Sequence, residues 1–193
     1  GEHSIADEGK KASNAIPAAD RELMRTTTQT ILRARKKNTP VIVKMTPNVT
    51  DLVDVARGAV EGGADALCCI DTVRGFIGID LETGYPKLNV NGLSTWGGLS
   101  GPAVKPIALG CVSKLNKELD IPVAGVGGVS NWQDAAEFLL LGARNVQVCT
   151  AISRYGFGMV QSMQKGLLRY MEQKGFASLD AMVGKSLPYL VDH

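Results

Sequence analysis

Histidine is nearly missing from these 193 residues. The two present, His3 and His193, stand at the ends and read as tail residues, so no imidazole is in place for acid–base or metal chemistry. Ser94 and Ser100 therefore have no neighbouring base to activate them, which sets nucleophilic catalysis aside. The four cysteines, Cys68, Cys69, Cys111 and Cys149, form no CxxC pair, so no zinc or cluster site and no metal is expected. Three sit in apolar, strand-like surroundings and Cys111 in a helical pattern, which fits reduced thiols in a cytoplasmic protein. No apolar run approaches the roughly 20 residues that span a bilayer, and the polar, acidic opening "GEHSIADEGKK" does not have the pattern of a signal peptide. Charge of one sign is lacking too: 21 basic against 19 acidic residues leave +2, too little and too evenly spread for nucleic acid or an acidic membrane surface. The densest basic cluster, "RARKK" (Arg33 to Lys37), falls where a helix ends and offsets its macrodipole.

What is present is an alternation. Asp20 can cap a helix from about Arg21 to Lys36, stopped by "NTP". "VIVKM" (Val41 to Met45) reads as a buried strand, and Thr50 or Asp51 opens a helix that closes on Gly62 and Gly63. "ALCCI" (Ala66 to Ile70) is a second strand. Residues 73–101 are glycine-rich and without periodicity, a length that suggests a lid or site. A helix over about 103–119, the strand "PVAGV" (Pro122 to Val126), a helix over 131–141 and the strand "NVQVC" (Asn145 to Cys149) follow. A long helix over 155–173, with Met159, Met163 and Met171 on its buried face, and a short one near 179–183 complete the pattern. Continuous apolar strands alternating with amphipathic helices predict an α/β fold with a parallel sheet covered by helices. A doubly wound sheet would need a dinucleotide fingerprint, and "GVGGVS" (Gly125 to Ser130) lacks the third glycine at the required spacing. The expectation is the later half of a (β/α)8 barrel: residues 1–39 as an N-terminal segment with a leading helix, and 40–193 as the half-barrel.

Two loops then stand side by side after the last two strands, "GVGGVSN" and "CTAI". In barrels such loops cradle a phosphate on free N–H groups. The reading is that Gly127 and Gly128 let the backbone approach the anion, with N–H groups of Cys149 and Thr150 beside them; the bland alternative is a tight turn. Lys44, inside the most hydrophobic strand, is costly to bury unless it meets a negative partner. Near the strand's C-terminal end it would point at a ligand; the alternative is an outward-snorkelling side chain. Trp96 either covers a ligand or buries its loop, and Trp132 reads as packing.

The stretches "VIVKMTPNVTD", "EGGADALCCIDTVRG", "GGLSGPAVKPIAL", "GVGGVSNWQDAAEFLLLGARNVQVCTA" and "YMEQKGFASLDAMVGK" together resemble the dihydropyrimidine dehydrogenases, the bacterial NAD-dependent catalytic subunit foremost, over about Pro40 to Asp192. The dihydroorotate dehydrogenases, with the same flavin barrel, are similar more loosely. The resemblance implies an FMN-dependent oxidoreductase that reduces the C5–C6 bond of uracil or thymine with electrons from NAD(P)H. Lys44 would lie against the flavin ring, Gly101 beside it, and Val126, Gly127, Gly128, Cys149 and Thr150 would hold its phosphate. Asp71 and Thr72 fall where the family places a substrate-binding Asn-Thr pair. The carboxylate only accepts hydrogen bonds, so Asp71 is expected to prefer an NH-rich ligand, to be protonated, or to pair with Arg74. Asn48 receives no role.

The family's catalytic cysteine lies on a loop before the lysine strand, and nothing in residues 1–40 matches it; the catalytic residue is unassigned. NAD(P)H and iron–sulfur clusters are expected only in a partner subunit or in segments outside this sequence. With four strands where a barrel needs eight, the chain is expected to be a fragment or to need another chain, such as a second copy, to close it. Alone it should bind flavin weakly and turn over little. Two other readings use the same residues: a flavin-free phosphate-binding barrel (lyase, isomerase or synthase), and an inactive half-barrel that serves assembly.

Overall fold

Side-chain caps set four of the helix starts. Asp20 accepts the Leu23 N–H at 2.8 Å and opens α1 (Arg21–Ala34). The backbone then enters β1 (Ile42–Met45). Asp51 accepts N–H groups from Val53 and Asp54 and opens α2 (Leu52–Glu61), which stops at Gly62. Next come β2 (Ala66–Cys69), β3 (Val73–Gly75), β4 (Gly97–Leu99), a short 3-10 turn over Pro102–Val104, and α3 (Lys105–Glu118). After β5 (Val123–Val126), Asn131 and Asp134 form a capping box at the start of α4 (Trp132–Leu140). The remaining elements are β6 (Asn145–Gln147), α5 (Thr150–Tyr155), α6 (Gly158–Lys174) and α7 (Leu179–Met182). These elements come from a computed structural model, which describes residues 20–191. The tail reading of His3 and His193, and the expected loop over residues 1–16, lie outside that span.

The sheet order is β1-β2-β5-β6, all parallel, so that, apart from the separate β3–β4 hairpin, each strand lies beside the next one of this sheet. A doubly wound sheet reverses its strand order at a switch point. Here the order advances in one direction with a helix returning between strands, which is the winding of a (β/α)8 barrel. The described residues form a four-stranded arc of one.

Register decides what each face carries. Lys44 pairs with Cys68 and Met45 with Cys69; Cys69 pairs with Gly125, and Gly125 with Val146. Alternation sends Met45, Leu67, Cys69 and Val123 outward against the helices, where all four are fully buried. Phe138 from α4 joins them, and it fits because Gly125 has no side chain: a Cβ there would come within 2.5 Å of the ring. Contact with the Cys111 thiol, together with burial, pushes the Cys69 thiol well above its usual range, and burial raises Cys68 as well. α1 belongs to this layer: Met24 is in the core, and the α1 backbone at Arg21 approaches Gly58 of α2 so closely that a Cβ there would lie 2.2 Å from the Arg21 carbonyl. A second cluster under α6 and α7 contains Met171 and Met182, and Trp132 packs against Gly166 as well as Tyr170.

Three expectations need correction. Residues 73–101 are not structureless: β3 and β4 pair antiparallel, with further bridges at Ile79–Pro86 and Val90–Leu93. Small and polar residues hid this hairpin, because Gly97 and Gly98 carry no alternation. The long helix expected over 155–173 is α6, which starts at Gly158, and an unexpected short helix, α5, precedes it, the two separated at Gly156 with φ +72° and at Phe157. Thr150 therefore begins a helix and does not lie in a loop.

Candidate functional site

At the C-terminal ends of the strands the loops enclose a cavity of about 250 Å³. Its walls come from the end of β1 (Lys44), the segment after β2 (Ile70, Asp71, Thr72) and the return from β4 (Leu99, Ser100, Gly101). The segments after β5 (Val126 to Val129) and β6 (Gln147, Cys149, Thr150) close the other side. All nine residues singled out in the sequence, Lys44, Asp71, Thr72, Gly101, Val126, Gly127, Gly128, Cys149 and Thr150, line this one space.

The glycine turn has a structural cause that sequence reasoning assigned to the ligand. Gly127 has φ +134° and Gly128 φ +76°, which side chains disfavour. A Cβ on Gly127 would meet the Ala108 Cβ at 2.7 Å, and one on Gly128 would meet the Gly101 carbonyl oxygen at 2.8 Å and the Lys105 amide at 2.9 Å. The bare backbone is thus demanded by the turn and by the first turns of α3 packed behind it. Neither the Gly127 nor the Gly128 N–H reaches a protein acceptor among the described residues, which leaves both as donors. Thr150 Oγ1 donates to Ser100 Oγ at 3.1 Å, so two hydroxyls join this end.

A clamp holds the turn from behind. Lys105 Nζ contacts Asp134 Oδ1 at 2.7 Å and Glu137 Oε2 at 2.8 Å. The buried Asp134 also accepts N–H groups from Ser130, at 2.8 Å, and Asn131, at 3.2 Å. This pair ties the start of α3 to the start of α4 around Gly128.

Across the cavity, Lys44 Nζ lies 3.3 Å from Asp71 Oδ1. Asp71 pairs with Lys44 and not with Arg74, as one of the expectations had it. The Thr72 backbone N–H and the Lys44 ammonium hold its carboxyl below the usual carboxylate range. Asn48, which had no role in the sequence reading, fixes this segment. Its Nδ2 donates to the Thr72 carbonyl at 2.9 Å, and its Oδ1 accepts the Arg74 N–H at 2.8 Å. The signal was "TPN" after a strand, but a contact spanning 24 residues has no local signature. Cys68, beside Lys44 on the same face, donates to Gln147 Oε1 at 3.3 Å. Trp96 is 76% exposed and does not line the cavity.

The donor set suits an elongated ligand with an anion at one end. Free amides and hydroxyls gather at the glycine end, and one ammonium stands at the other. At about 250 Å³ the cavity is below the roughly 300 Å³ at which small-molecule pockets begin, so the arc builds one side of a larger site. Among the described residues no group of three His, Cys, Asp or Glu could hold a metal ion, and no helix is long and apolar enough to cross a membrane.

Comparison with known proteins gives the family. The family model for dihydroorotate dehydrogenase matches residues 9–171, beginning some thirty residues before the motifs that carried the resemblance. The chain belongs to the dihydroorotate dehydrogenase family, whose flavin-dependent members share the barrel fold. It is 46% identical over 153 residues to the NAD-dependent dihydropyrimidine dehydrogenase subunit PreA of Escherichia coli K12, covering 78% of this chain and 37% of that protein. It is 46% identical over 145 residues to the catalytic subunit of dihydroorotate dehydrogenase B (NAD(+)) of Methanothermobacter thermautotrophicus, covering 75% and 46%. It is 40% identical over 164 residues to the chloroplastic dihydropyrimidine dehydrogenase (NADP(+)) of Arabidopsis thaliana, covering 82% and 38%. The chain spans less than half the length of each of these relatives.

Proposed function

We propose that this chain forms the phosphate-and-ring half of an FMN site in an oxidoreductase acting on the C5–C6 bond of a pyrimidine, of the dihydropyrimidine dehydrogenase kind. The observation that carries the reading is the shared cavity: the Gly127–Gly128 turn and the start of α5 at one end and Lys44 at the other, all at the C-terminal mouth of the sheet. The free N–H groups of Gly127 and Gly128 and the hydroxyl of Thr150 would hold the phosphate, helped by the positive end of the local backbone dipoles. Lys44 would stand against the ring, where an ammonium offsets negative charge. A bound flavin would exchange hydride with the pyrimidine. The chain's own part is to hold that ring, and to present Asp71 and Thr72 to the base lying on it.

NAD(P)H as the electron source and a partner subunit are taken from the names of the relatives, and a cytoplasmic setting from the reduced thiols; all three are part of this proposal. A dihydroorotate dehydrogenase is the second reading, supported by the 46% identity to the archaeal catalytic subunit. Titrating FMN into the purified chain tests the cofactor assignment. Quenched flavin fluorescence is expected, and it should be lost in Lys44→Met and in Gly128→Ala. Unchanged fluorescence at millimolar chain would reject the assignment.

A further inference from the structure

We propose that Asp71 is a specificity-determining residue that turns ring ligands bearing a carboxylate away from the cavity, favouring an uncharged pyrimidine such as uracil over orotate. This rests on the flavin reading above and decides between the two substrate types for which the relatives are named.

Lys44 and Asp71 are the charged side chains among the described residues that line the cavity, and they face each other at 3.3 Å. The ammonium at the ring end is therefore already paired, and the end carries no net charge. What attracts an anion lies at the other end, on the amides of Gly127 and Gly128. The cavity is polarised: it accepts negative charge at the glycine turn, while at the ring the one ammonium is shared with the Asp71 carboxylate. A carboxylate on the ring would meet the half-exposed Asp71 carboxylate, and like charges at that separation repel even when water partly screens them.

Asp71 cannot withdraw with its loop. Its own N–H donates to the Met45 carbonyl at 2.8 Å, and Asn48 holds the backbone on the far side at Thr72 and Arg74. The charge is present at neutral pH, because the Thr72 N–H and Lys44 hold the carboxyl below its ordinary range. An ionised carboxylate only accepts hydrogen bonds. Uracil, with two ring N–H groups and no ionised substituent, matches it; orotate adds the one group that does not.

The test is calorimetric titration of uracil and of orotate into the full chain, with and without added FMN. Uracil should bind at least about tenfold more tightly than orotate, a difference of about 1.4 kcal/mol. Asp71→Asn, which leaves Lys44 without its counter-charge, should raise orotate affinity about tenfold and move uracil by less than about threefold. Asp71→Glu should keep the wild-type ranking, and should still decide the matter if Asp71→Asn fails to fold by circular dichroism. Equal binding of the two pyrimidines to the wild type would overturn the proposal. So would an unchanged ratio in Asp71→Asn, or no measurable binding of either pyrimidine to any variant. Failure to take up FMN defeats the cofactor reading separately; the ratio on the flavin-free chain still decides the role of Asp71.

Discussion

The two faces of one four-stranded sheet differ, most of all at β1, since on the inward face Cys68 and Ala124 are themselves buried. The outward face, Met45, Leu67, Cys69 and Val123, is fully buried under helices. On the inward face Ile42 is 51% exposed, and the Lys44 side chain is 54% exposed. Residues one position apart in a strand thus serve different ends: the register of Met45, Cys69 and Gly125 makes the fold, and the register of Lys44, Val126 and Gln147 makes the mouth. Substitutions on the two faces should therefore separate stability from ligand binding.

The largest effect is expected from Phe138→Ala, on the buried side. It removes a fully buried ring over Gly125 and should cost about 3–5 kcal/mol in urea unfolding. Binding per folded molecule should be unchanged. Gly128→Ala crosses the divide: its left-handed backbone and the 2.8 Å approach to the Gly101 carbonyl predict about 1–3 kcal/mol of destabilisation together with loss of FMN affinity. Lys105→Met leaves the buried Asp134 with its two backbone donors alone and should cost about 1–3 kcal/mol. Lys44→Met, on the open side, should change stability by less than about 0.5 kcal/mol while abolishing flavin quenching. A Lys44→Met protein that melts several degrees lower would blur the comparison, and one that still quenches would break it.

The smallest effect is in acid. Asp65 is held low by the Val41 N–H and by Arg35, and Asp71 by the Thr72 N–H and Lys44. A carboxyl depressed in the folded state stabilises the fold above its unfolded pKa of about 3.9 and loses that contribution as pH falls through the folded value. The thermal midpoint should be flat from pH 7 to about pH 5 and fall below about pH 4. Both groups are substantially solvated, so the fall should be modest. Asp65→Asn should flatten part of it.

The winding of the fold was legible in the sequence, because apolar runs and caps are local. Asp20, Asp51 and Asn131 announce three helices by short-range hydrogen bonds. The residues of the site were legible by motif, and they meet in one cavity. What escaped was non-local. The β3–β4 pairing joins residues more than twenty positions apart through glycines that carry no pattern. The partner of Asp71 is Lys44 from another strand, and not its sequence neighbour Arg74. The demand for glycine at 127 and 128 arises from α3, whose closeness no turn signature predicts.

Asn48 bonds both Thr72 and Arg74 without itself lining the cavity. It acts as a strut: the height of the Asp71 carboxylate above the sheet is set by a side chain that touches no ligand. Shortening that strut to Ser would let the segment sag, and pyrimidine preference would drift with no change in any group that the pyrimidine meets.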